Sequence, residues 1–126
     1  MFRDPARRSV ALVVEDEPLI AMEAVDMLSD GGFSVLEAWN GDQALRLLDQ
    51  SGPVSLLFTD VHMPGSINGF ELAKEVARRW PDTAIVVCSG HVKPGAESLP
   101  QGARFIAKPF SSSLVLEIIH EMTEPV

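Results

Sequence analysis

The chain is poor in cysteine, in positive charge and in long apolar runs, and each shortage excludes something. One cysteine, Cys88, in 126 residues cannot close an internal disulfide. Its apolar setting, AIVVCSG, suits a buried thiol kept reduced, for which the cytoplasm is the default compartment. Ten basic residues against 18 acidic ones leave a net charge of −8. That charge repels a phosphate backbone, so nucleic acid is not an expected partner. No apolar run approaches the roughly 20 residues that cross a bilayer, so no membrane span is expected. No secretory signal is expected either: MFRDPARRSV carries Arg3, Arg7 and Arg8 without an apolar stretch, and residues 1–8 read as a flexible lead-in. Internal repeats and low-complexity segments are missing too. The length then predicts one domain over 1–126 with a single core. The acidic surplus fits plain solubility, or carboxylates gathered around a divalent cation.

The stretch that organises what is there is LLFTDVHMP, Leu56 to Pro64. The run from Val54 to Phe58, apolar but for Ser55, does not alternate, as in a strand covered on both faces of a parallel sheet. It ends at Asp60, whose carboxylate belongs at the strand's mouth, where open parallel sheets collect their ligands. An earlier strand, Val10 to Val14, runs into Glu15, Asp16 and Glu17. Pro18 then opens a helical pattern of Leu19, Ile20, Met22, Ala24, Val25 and Leu28 that stops at Gly31 and Gly32. Ser34 to Trp39 is a second strand. Asn40 caps a helix from about Gly41 to Gln50, with Ala44, Leu45, Leu47 and Leu48 on its apolar face. A helix from about Gly69 to Trp80 follows the Asp60 strand and stops at Pro81. Ala84 to Cys88 and Arg104 to Ala107 are strands four and five, and Ser111 to Ser113 offer caps for a final helix bearing Leu114 to Met122. Between strands four and five, Pro94, Gly95, Pro100 and Gly102 predict only a short or irregular helix. Five strands alternating with helices predict a doubly wound parallel α/β sheet.

Five polar groups then stand at four strand ends: Glu15 and Asp16, Asp60, Ser89 and Lys108. Each alone has a bland reading as a helix-terminal charge, a cap or a surface cation. Together, three carboxylates repel one another unless protons or a cation join them, and oxygen ligands select a hard ion such as Mg²⁺. Such a site suits phosphoryl transfer to Asp60 as a covalent nucleophile. Lys108 would hold a phosphoryl oxygen as a point charge, and the Ser89 hydroxyl would bond another.

Through VVEDEPL, LLFTDVHMPG, VVCSG and FIAKPF the chain resembles the receiver domain of two-component response regulators, from Val10 to about Met122. The resemblance implies a flavodoxin-like fold with sheet order 2-1-3-4-5 and phosphorylation of Asp60 by a sensor histidine kinase or phosphotransfer protein. It implies Mg²⁺ held by Asp16, Asp60 and the backbone carbonyl of His62, with Glu15 acting through water. It further implies a switch in which Ser89 and Phe105 rearrange and remodel the face made by the family's fourth helix, fifth strand and fifth helix. On this reading the chain is a stand-alone cytoplasmic signalling switch rather than a turnover enzyme, acting on a downstream protein. The alternative is a fragment of a larger regulator or hybrid kinase. Four departures stand out: Glu-Asp in place of Asp-Asp at 15 and 16, a longer loop from Pro64 to Gly69, Phe105 in place of the frequent Tyr, and a short segment between Ser89 and Phe105.

Competing readings have specific weaknesses. A flavin carrier of this topology needs phosphate-cradling amides after strand one, where Glu15 to Glu17 repel. An aspartyl-nucleophile phosphatase wants a second acid two residues after Asp60, and His62 stands there. A degenerate, unphosphorylated scaffold does not need Asp16, Asp60, Ser89 and Lys108 intact. The ring of His62 is expected in solvent, His91 as an ordinary loop residue, His120 on a helix surface, Met22, Met27 and Met122 in packing or edge positions, and Trp39 and Trp80 as core or helix-edge anchors.

Overall fold

A computed structural model describes residues 9–90 and 99–123. Strand β1 (Val10–Val14) leads into helix α1 (Pro18–Asp30), followed by β2 (Ser34–Ala38), α2 (Gly41–Ser51), β3 (Leu56–Asp60), α3 (Gly69–Arg79), β4 (Ala84–Ser89), β5 (Arg104–Ala107) and α4 (Ser112–Thr123). All strands are parallel, in the order β2-β1-β3-β4-β5. The short or irregular helix expected between β4 and β5, and His91 with it, lie outside the described residues.

The inner strands β1, β3 and β4 look almost continuously apolar because both faces are covered, yet their side chains divide by the two-residue period. Ala11, Val13, Leu56, Phe58, Val86, Cys88 and Ile106 pack on one face with Ala24, Met27 and Leu28 of α1 and Val115 and Ile119 of α4. Leu12, Val14, Leu57, Ile85 and Val87 point the other way, against Ala44 and Leu48 of α2 and Leu72, Ala73 and Val76 of α3. Each fully buried Leu or Val contributes roughly 1.5–3 kcal/mol of transfer free energy, so the sheet interior, where these side chains are fully enclosed, is the rigid base of the fold.

Local chemistry fixes the helix starts. Pro18 occupies the first turn of α1, where its missing N–H goes unneeded. The Asn40 side chain accepts from the Gln43 amide at 2.8 Å, and Asn68 and Glu71 form a reciprocal capping box at α3. Each satisfies amides left without intrahelical partners.

Three expectations need correcting. Leu19 and Met22, read as part of the apolar pattern of α1, are 71% and 62% exposed. The buried stripe is instead Ala21, Ala24, Met27 and Leu28, in which Ala21, Ala24 and Leu28 follow one another at three and four residues, the helical period. Leu114 opens α4 in the same exposed way. Trp39 is no core anchor: it lies just beyond β2 and is 54% exposed. Trp80, at the end of α3, is half-buried with the Arg79 guanidinium 5.7 Å from its ring centre. Among the described residues, no helix is long and apolar enough to cross a membrane.

Candidate functional site

Register carries the polar groups into one place. Val14 pairs with Thr59, so the residues following them, Glu15 and Asp60, leave adjacent strands at one level. Asp60 pairs with Cys88 and Ser89 with Ala107, so Lys108 emerges one strand further along, its amide donating to the Ser89 carbonyl at 3.0 Å. Four strand ends thus form a row at the carboxyl edge of the sheet. They open on a cavity of about 570 Å³ lined by Glu15, Asp16, Asp60, His62, Ser89 and Lys108, with Glu17, Glu23 and Phe110 at its margin.

At its centre, Lys108 Nζ lies 3.3 Å from Glu15 Oε1 and 3.3 Å from Asp60 Oδ1. Glu15 is only 5% exposed, and its other oxygen accepts from the Glu17 amide at 3.1 Å. Burial pushes the Glu15 carboxyl above its ordinary value, the charge of Asp60 adds to this, and the Glu17 amide and Lys108 pull it partly back. For Lys108, burial works against the charged form, but Asp60, Cys88 and Glu15 outweigh it, and its value rises. The ammonium is therefore charged at neutral pH.

One cation does not balance the acids. Glu15, Asp16 and Asp60 each present an oxygen within 4.8 Å of the others. At that separation two unit charges repel by about 1 kcal/mol in water and about 3 kcal/mol at an effective dielectric near 20. All donors are hard oxygens, so the trio fits a hard divalent ion rather than a soft one.

The backbone that carries Asp60 is tightly held. The Thr59 hydroxyl donates to the Asp60 carbonyl at 2.9 Å, and the Gly69 amide donates to the Val61 carbonyl at 2.9 Å. A Cβ on Gly69 would fall 2.0 Å from the Asp60 carbonyl oxygen, so α3 starts in direct contact with the end of β3. On the opposite side, Phe110 meets Phe58 edge-on, with ring centres 6.0 Å apart, which anchors the segment that follows Lys108.

Of the residues singled out in the sequence, Glu15, Asp16, Asp60, His62, Ser89 and Lys108 come together. Phe105 does not line this cavity; it is half-buried against the α2/α3 side of the core. His62 is exposed, and His120 lies on α4 with its Nε2 3.3 Å from the Gly31 carbonyl. Sequence reasoning missed Gly69, Phe110 and Asp42. Asp42 binds Ser66 across 24 positions, and only the fold reveals such a pairing.

The sequence profile described as "Response regulator receiver domain" matches residues 11–120. The chain belongs to the receiver domain family. It is 33% identical over 125 residues to the sensor kinase CckA of Brucella abortus, covering 96% of this chain but 13% of CckA. It is 32% identical over 117 residues to the chemotaxis protein CheY of Thermotoga maritima, covering 90% of this chain and 96% of CheY. The crystal structure of TrrA from Thermotoga maritima, in complex with Mg²⁺-BeF, matches with a TM-score of 0.79 at 28% identity, over 90% of this chain and 98% of that one. Receiver domains are parts of two-component signalling systems, so this receiver is a signalling module.

Proposed function

We propose that this receiver is a phosphorylation switch whose phosphoacceptor is Asp60. The carrying observation is the Lys108 ammonium shared at 3.3 Å between Asp60 and Glu15, with Asp16 adding a third carboxylate beside them. An Asp60 oxygen attacks the phosphorus of a phosphohistidine on a kinase or phosphotransfer protein. The P–N bond breaks, the imidazole leaves with the electron pair, and Asp60 becomes an acyl phosphate. Lys108 holds one of the transferred oxygens and the Ser89 hydroxyl donates to another. Asp16, Asp60 and the His62 carbonyl would hold Mg²⁺, with Glu15 reaching it through water. The ion supplies neutralisation of the charge that gathers on the phosphoryl oxygens, and the Mg²⁺-BeF complex of the similar TrrA supports this choice. Ser89 and Phe105 respond to the new phosphate, and the signal leaves as an altered protein contact.

The test is incubation with a small acyl phosphate and Mg²⁺, read by intact mass. The wild type gains a phosphoryl adduct, Asp60→Asn gains none, and Lys108→Ala reacts about 10²- to 10³-fold more slowly, the usual loss for a preorganised charge aimed at the reacting group. An unlabelled wild type, or an adduct that survives Asp60→Asn, refutes the assignment.

A further inference from the structure

We propose that Asp42 is a positioning residue of the acidic site, acting through Ser66 to hold the loop that carries the His62 carbonyl; this rests on the phosphoacceptor reading above. The loop leaves β3 at Val61 and returns at Gly69, where the Gly69 amide closes its base on the Val61 carbonyl. Between those points its apex is fitted to the start of α2. Asp42 accepts from the Ser66 amide through Oδ2 at 3.0 Å and from the Ser66 hydroxyl through Oδ1 at 2.7 Å. Both carboxylate oxygens are thus spent on one residue of the loop. These bonds hold the Asp42 carboxyl below its ordinary range.

The flanking residues fit the same surface. A Cβ on Gly65, which has φ of 106°, would lie 2.8 Å from Asp42 Oδ2, and one on Gly41 would lie 2.5 Å from Ile67 Cγ1. Three consecutive loop residues, 65 to 67, therefore meet two consecutive helix residues, 41 and 42. This loop is also the one that exceeds the common receiver length. An extra residue loosens a loop unless something fixes its apex, and the Asp42 clasp does so. His62 follows the two peptides anchored at Asp60 and Val61, so the freedom of its carbonyl depends on what holds residues 63 to 68.

A clasp of exposed hydrogen bonds contributes little to global stability but alters local geometry, so the expected loss is about two- to tenfold in Mg²⁺ affinity. The experiment measures Mg²⁺ binding by calorimetric titration, thermal midpoint and the labelling rate with an acyl phosphate, in the wild type, Asp42→Ala, Asp42→Asn, Ser66→Ala and the double alanine variant. Asp42 also lies in the first turn of α2, where a negative charge favours the helix; Ser66→Ala leaves that charge alone and keeps the test specific. Support consists of weaker Mg²⁺ binding in Asp42→Ala and Ser66→Ala at near-constant thermal midpoint, partial rescue in Asp42→Asn, and a double variant no worse than the Asp42→Ala single. Unchanged Mg²⁺ affinity in both single variants, or a loss that only tracks a fallen thermal midpoint, overturns the clasp while the switch stands. A wild type that neither binds Mg²⁺ nor accepts phosphate overturns the switch, and the clasp's role with it.

Discussion

Adding one methyl group at Gly69 strikes the acceptor residue from behind. The new Cβ would stand 2.0 Å from the Asp60 carbonyl oxygen and 2.8 Å from both the Asp60 carbonyl carbon and the Val61 Cα. All three are backbone atoms, so no side chain can rotate away. Restoring ordinary contact at 3.4 Å requires β3 and α3 to part by roughly 1 Å or more, against a packed interior that resists deformation. Overpacking of this kind destabilises by about 1–3 kcal/mol, and a displacement near 1 Å at a reacting group lowers rates about 10²-fold. Gly69→Ala should therefore lower the denaturation midpoint and slow acyl phosphate labelling about 10²-fold. Two other glycines calibrate the effect. Gly41→Ala meets the Ile67 side chain, Cγ1 at 2.5 Å and Cδ1 at 2.8 Å, with backbone no nearer than 3.5 Å, and Gly90→Ala meets Lys108 Cβ at an ordinary 3.6 Å. Loss should be greatest at Gly69, smaller at Gly41 and least at Gly90. Wild-type labelling in Gly69→Ala, or equal losses at all three positions, would show that backbone contact does not set the acceptor's place.

Two further outcomes follow from charge and burial. Because the Glu15 carboxyl is raised in the folded protein, its contribution to stability is fully present below the ordinary value of 4.5 and is lost as pH rises through the raised one. Glu15→Gln should hence raise the thermal midpoint of the metal-free protein at pH 7, with the gain shrinking towards pH 4.5, and should weaken the stabilisation that Mg²⁺ gives; a gain that does not vary with pH contradicts this. Cys88 is buried, and burial pushes its thiol up to about 12, so a thiol-specific reagent at pH 8 should modify it only on unfolding. Rapid modification of the native protein would place it elsewhere.

The sheet was legible because most strands are built on an apolar run between turn residues, and because polar groups follow four of them. Val10–Val14 is the clearest case, apolar throughout and running straight into Glu15, Asp16 and Glu17. The helix faces were less legible. In α1, Leu19 and Met22 are as apolar as Leu28, and only the period through Ala21, Ala24 and Leu28 separates the covered stripe from the exposed one. The site's residue types were legible, but their division of labour was not. That Glu15 turns inward to share Lys108 with Asp60, rather than standing as a charge at the helix start, depends on register. The same holds for Gly69 and Asp42, whose partners are remote in sequence or made of backbone.

Asp60 ends an interior strand, bonded to β1 on one side and β4 on the other. Lys108 follows β5, a four-residue strand on the outer margin with one neighbour. The two halves of the site thus stand on unequal footing, an anvil and a hinged jaw. Amide exchange at Leu57 to Thr59 should be among the slowest in the chain, and exchange along β5 much faster. Any rearrangement that follows chemistry at the acceptor would then be borne by the margin, leaving the aspartate where it was.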